Sequence, residues 1–101
     1  MGNPVYRYRF AETVDIRDAE DTLSLAALAA EGLYGQARVR MDAAYSVDTA
    51  IRAIIVDAGT DVGQAVNCIF TAFILREFGS ARFRVRRVAG LFARGSQEGQ
   101  A

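Results

Sequence analysis

A chain of 101 residues with 51% apolar content can bury one core and not two, and its twelve bases and twelve acids cancel to a formal net charge of zero. No global field therefore draws it toward nucleic acid or an anionic membrane, and any such attraction has to be local. The chain has no histidine and one cysteine, Cys68, which excludes Ser-His-Asp and Cys-His catalysis, His-bound or thiolate metal sites and an internal disulfide within one chain.

Val5 to Phe10 reads as a first strand, with Tyr6, Tyr8 and Phe10 on one side and Arg7 and Arg9 on the other. Asp18 is the expected N-cap of a helix rich in alanine and leucine. The apolar stripe of that helix is Leu25, Ala29 and Leu33, flanked by Thr22, Ala26 and Leu28, and its stop is Gly32 or Gly35. Ala37 to Tyr45 alternates again, opposing Val39, Met41, Ala43 and Tyr45 to Arg38, Arg40 and Asp42, which predicts a second strand. A turn at 46–49 leads to a third strand, Ala50 to Asp57. Tyr45 opposite Ala50 then brings Met41 to Ile54, Val39 to Val56 and Arg38 to Asp57.

Thr60 or Asp61 caps a second helix that ends near Gly79, with Val62, Val66, Ile69, Phe70 and Phe73 as its core stripe. Gln64, Asn67 and Thr71 mark a narrow polar side. Ala72, Ile74 and Leu75 widen the apolar arc beyond what one sheet needs, so the excess is expected against the C-terminal segment or another subunit. Arg82 to Val88 is a fourth strand, Phe83 and Val85 inward and Arg82, Arg84 and Arg86 outward. Beyond Gly90, Leu91 and Phe92 can dock, and 95–101 reads as a frayed tail. A single domain over 1–101, with a core at about 5–88, is expected.

The order strand, helix, strand, strand, helix, strand resembles the ferredoxin-like superfold, an α+β plan written βαββαβ. The resemblance implies a four-stranded antiparallel sheet in the order 4-1-3-2 with two helices on one face. It rests on element order and carries no function with it.

Few residues suggest chemistry. Cys68, between Asn67 and Ile69 in a helix, reads as a small buried hydrophobe. Glu12, Asp15, Asp18, Glu20 and Asp21 suit the positive end of a helix dipole and miss the spacing of a calcium loop. The segment from Asp57 to Gly63 has the setting of a phosphate loop but lacks its lysine and carries two aspartates, so it reads as a turn and cap. Tyr6, Tyr8 and Tyr45 are expected in the core with their hydroxyls at its rim. No catalytic residue, cofactor or metal ligand is assigned, and the chain leans toward a non-catalytic role.

What stands out is arginine spacing. Codon usage explains arginine in place of lysine but not its recurrence at alternate strand positions. The candidate partner-binding face is therefore Arg7, Arg9, Arg38, Arg40, Arg82, Arg84 and Arg86 on the helix-free side of the sheet, with Ile51 and Ile55 in an apolar strip through it. Three uses are open: a second copy of the chain, with a homo-oligomer and specifically a dimer favoured; a nucleic acid or other polyanion; or a small-molecule enzyme with a pocket at the sheet–helix or subunit boundary. Against nucleic acid, the aromatics that would stack bases fall on the buried side. The longest apolar run, Cys68 to Leu75, is too short to span a bilayer, so no membrane partner is expected, and a reducing cytoplasm suits the lone cysteine.

Overall fold

The computed structural model describes residues 4–88. They run as β1 (Val5–Phe10), α1 (Ile16–Tyr34), α2 (Gln36–Asp42), β2 (Ala44–Asp48), β3 (Ala53–Asp57), α3 (Asp61–Phe78), a 3-10 turn (Ser80–Arg82) and β4 (Phe83–Val88). The sheet is antiparallel throughout, in the order β2-β3-β1-β4. Leu91, Phe92 and the 95–101 tail lie outside the described residues.

The expected βαββαβ plan with two helices is corrected: the described chain is mixed α and β with three helices. Counted from the β4 edge the neighbours are β4-β1-β3-β2, but the strand at the far edge is Ala44–Asp48 and not Ala37–Tyr45. Most of the predicted second strand is α2. Gly35, at φ 86, closes α1 by donating its N–H to Glu31 O and at once opens α2, a left-handed junction that a side chain would strain. Within α2 only Val39 is buried, so the Arg-Val-Arg-Met alternation is one inward residue on a helical turn rather than a strand face.

The hairpin register shifts accordingly. Tyr45 lies across from Val56, Val47 from Ile54 and Ala44 from Asp57, so the predicted pairings of Tyr45 with Ala50, Met41 with Ile54, Val39 with Val56 and Arg38 with Asp57 do not form. The turn falls at 49–52 instead of 46–49.

Asp15, not Asp18, caps α1, its carboxylate accepting from Arg17 N at 2.9 Å. The helix buries Ala19, Thr22, Leu23, Ala26, Ala27 and Ala30, and its closest packing is against α3, which the alanines let it approach. Leu25, Leu28 and Leu33, expected inside, are 56%, 60% and 72% exposed. For α3 the Thr60 hydroxyl accepts from Gly63 N at 2.9 Å, and Gly79 ends the helix at φ 84. Val62, Val66, Phe70 and Ile74 are its buried stripe, while Phe73 reaches solvent.

These side chains close on Tyr8, Phe10, Ile54 and Val56 from the sheet. Tyr8 meets Phe70 edge-on, with ring centroids 4.9 Å apart at 75°. Each such large apolar side chain stabilises the fold by about 1.5–3 kcal/mol through burial. Because α1 and α3 both cover one side, the other side of the sheet carries no helix among the described residues.

Candidate functional site

Cross-strand register places every residue of the helix-free face. One row reads Asp48, Ala53, Arg9, Arg84; the next Ser46, Ile55, Arg7, Arg86; the third Ala44, Asp57, Val5, Val88. The face is thus split: the β1–β4 half carries four arginines in a two-by-two block, and the β2–β3 half is small, apolar or acidic. Each block pair, Arg7 with Arg86 and Arg9 with Arg84, sets like charges directly opposite, about 4.5–5.5 Å apart at Cβ. Along a strand the i and i+2 arginines stand about 6.5–7 Å apart.

Among the described residues the block has no carboxylate within salt-bridge distance, and the one ion pair is Arg38 with Asp42 at 3.7 Å, four residues apart on α2. Arg7 Nε is shut off from solvent and has no hydrogen-bond partner. The two acids that share these rows are engaged with backbone: Asp57 accepts from Gly59 N at 2.8 Å and Asp48 from Ala50 N at 3.1 Å. Among the described residues these guanidinium groups have no carboxylate partner, and each carries the planar fork that matches phosphate and carboxylate oxygens.

The candidate residues separate. Arg7, Arg9, Arg84, Arg86 and Ile55 share the open face. Arg82 belongs to the 3-10 turn before β4, where with Arg9 and Arg84 it lines a shallow cleft of about 180 Å³ beside Ala11 and Ala81. Arg38 and Arg40 are not on the sheet at all: both sit on α2, Arg38 lying 4.9 Å from the centre of the Tyr34 ring. Ile51 is in the β2–β3 turn. The expected apolar strip is slight, since Ala53 is fully covered and Ile55 is half-buried.

One side chain differs from the sequence reading: Cys68 is exposed on α3 rather than buried. Tyr8 is wholly buried, and its hydroxyl meets the half-buried Asn67 and Thr71: it lies 2.5 Å from Asn67 Oδ1 and 2.6 Å from Thr71 Oγ1, while Thr71 Oγ1 donates to Asn67 O at 2.8 Å. Three oxygen contacts cannot share two hydroxyl protons. The count closes when the Asn67 amide turns by half a rotation, so that its NH₂ donates to Tyr8, Tyr8 to Thr71, and Thr71 to the Asn67 carbonyl. Burial pushes the Tyr8 hydroxyl above its ordinary pKa of 10.0, against the opposing pull of the Thr71 hydrogen bond and with Cys68 and Tyr6 adding in the same upward direction. Asn67 and Thr71, spaced i and i+4, were readable as a polar stripe, but not as one aimed inward at a strand tyrosine.

No known protein family, curated protein or solved structure matches the chain. Among the described residues no helix is long and apolar enough to cross a membrane.

Proposed function

We propose that this chain is a small non-catalytic interaction module that holds the phosphate backbone of a nucleic acid against Arg7, Arg9, Arg84 and Arg86. The observation that carries the reading is the two-by-two block itself: like charges opposed across β1 and β4 with no carboxylate partner among the described residues. Such pairs cost stability, about 0.2–1 kcal/mol each, unless an anion neutralises them. Zero net charge and the absence of aromatics from the three rows of this face argue for modest, sequence-independent affinity.

A second copy docked on this same face is the weaker reading. Four arginines would be desolvated there against only Asp48 and Asp57, and the apolar centre such an interface needs is nearly absent. A reducing compartment such as the cytoplasm suits the exposed thiol of Cys68.

Fluorescence anisotropy with labelled single-stranded RNA and DNA tests the proposal. Four phosphate contacts on a single strand give a slope of log affinity against log salt near −3, and Arg9→Gln with Arg84→Gln should halve it. Absence of binding at about 50 mM salt, or binding indifferent to those substitutions, would refute it.

A further inference from the structure

We propose that the chain's own C-terminal segment, through Leu91 and Phe92, packs into the groove between α3 and β4 on the helix side of the sheet. Val85 marks that groove: it stands opposite the wholly buried Tyr8, on the side that the helices cover, yet it is 41% exposed. The cause is the place of α3. One of its flanks meets α1, where Thr22 bonds to Glu77 and Leu25 shares a cleft with Phe73, while Asn67 and Thr71 hold it over β1 through the Tyr8 hydroxyl. β4 is the edge strand beyond β1, and among the described residues no helix lies over it.

The wall of the groove is the free flank of α3. Gln64, Cys68, Thr71 and Leu75 fall on one helical stripe there, and Leu75 is 45% exposed. At the groove's end a cavity of about 250 Å³ lies between Pro4, Tyr6, Asn67 and Cys68. The occupant follows from where β4 stops. Val88 pairs with Val5, so the chain leaves the sheet beside Pro4 and Tyr6, at the mouth of that cavity. Leu91 and Phe92 come three and four residues later, within roughly 10–13 Å of extended chain. They are the two large apolar side chains of residues 89–101, and Gly90 makes a reversal of the backbone before them cheap. A tethered segment meets the groove at high effective concentration, an advantage over any free partner with the same side chains. Seated there, it braces β4 from the helix side and leaves Arg84 and Arg86 open on the other.

Cys68, the chain's lone cysteine, lines the cavity and reports on its filling. In the folded full chain a thiol-reactive disulfide reagent should label it at least roughly tenfold more slowly than in urea. Leu91→Asp combined with Phe92→Asp should recover most of that factor, with circular dichroism melts reporting that unfolding stays cooperative. Leu28→Asp, on the exposed side of α1, should leave the rate unchanged. NMR on the unsubstituted chain needs no variant: NOEs are expected from Leu91 or Phe92 to the Val85 methyls. Protection that fades on dilution from about 100 µM to about 1 µM would give the groove to a second copy instead. That outcome, labelling rates indifferent to the tail substitutions, or no NOE from Leu91 or Phe92 to Val85 would overturn the proposal.

Discussion

Arg7 and Arg86 stand directly across from one another on β1 and β4, on the same side of the sheet, and neither has a carboxylate within 4 Å among the described residues. An opposite-charge pair there would be the ordinary solution on an exposed antiparallel ladder, since it turns repulsion into a small gain. Repeated one step along by Arg9 and Arg84, the arrangement concentrates positive charge at a stability cost that the fold bears elsewhere.

Replacing one member of a pair should therefore stabilise the protein. Arg86→Thr keeps a strand-favouring residue and removes the repulsion, raising the unfolding free energy by about 0.2–1 kcal/mol. The same change should make the salt slope of nucleic-acid binding shallower by about 0.7, one phosphate contact. Urea melts and anisotropy titrations on one preparation check both, and a destabilised variant would show that the guanidinium is already neutralised within the chain.

Tyr8→Phe removes the hydroxyl that links β1 to α3 and leaves Asn67 and Thr71 short of a partner in a part-buried site. The expected loss is about 1–3 kcal/mol. The pH dependence follows from the upward shift of this group. Between the ordinary value of 10.0 and the higher folded value the native state holds a proton that the unfolded chain has given up. The stabilisation is complete below pH 10.0 and is lost as pH rises through the folded pKa. Wild type should thus lose more melting temperature than Tyr8→Phe between about pH 9 and 11, the other tyrosines being common to both. Equal losses would mean that Tyr8 titrates as a free phenol.

Gly63, in the first turn of α3, has no room for a side chain: an added Cβ would collide with the Asp57 carbonyl oxygen and press on Thr60 Oγ1 at 3.1 Å. Since the obstacle is backbone, Gly63→Ala must push the helix start away from the end of β3. A cost of about 1–3 kcal/mol is expected in thermal or urea unfolding, even though alanine is the better helix former. A neutral result would show that the β3–α3 junction is looser than its packing.

How far the sequence could be read depended on whether local chemistry and burial agreed. β1 and α3 were legible because their signals coincide: period-two alternation behind Pro4 for one, and a Thr60 cap, an apolar stripe and Gly79 for the other. Residues 37–45 were not, because Ala-Arg-Val-Arg-Met-Asp satisfies a strand pattern while Gly35 permits a second helix to start, and only tertiary packing of Val39 decides between them. In α1 the error was one of ranking. Hydropathy favours leucine for the core, yet close approach of α1 to α3 selects Ala19, Ala26, Ala27 and Ala30 and turns Leu25 and Leu28 outward. The arginine face was half legible for the same reasons: Arg7, Arg9, Arg84 and Arg86 lie on true strands, whereas Arg38 and Arg40 followed α2 away from the sheet.

Arg52 gives the last prediction, at a position no pattern marks. Among the described residues it is the non-glycine residue with positive φ, at 55°, closing the β2–β3 turn, and left-handed backbone costs a side-chain-bearing residue about 1–2 kcal/mol. Its guanidinium offsets this by donating from Nε at 3.3 Å and Nη2 at 3.0 Å to the Ala11 carbonyl, while its own carbonyl accepts from Phe10 N at 2.9 Å. Arg52→Ala loses the side-chain bonds and keeps the strained backbone, whereas Arg52→Gly loses the bonds but relieves the strain. Glycine should therefore be more stable than alanine here by about 1 kcal/mol, the reverse of their order in a helix or strand. Paired urea melts measure that difference, and alanine equal to or above glycine would mean that the turn relaxes to negative φ once the guanidinium is gone.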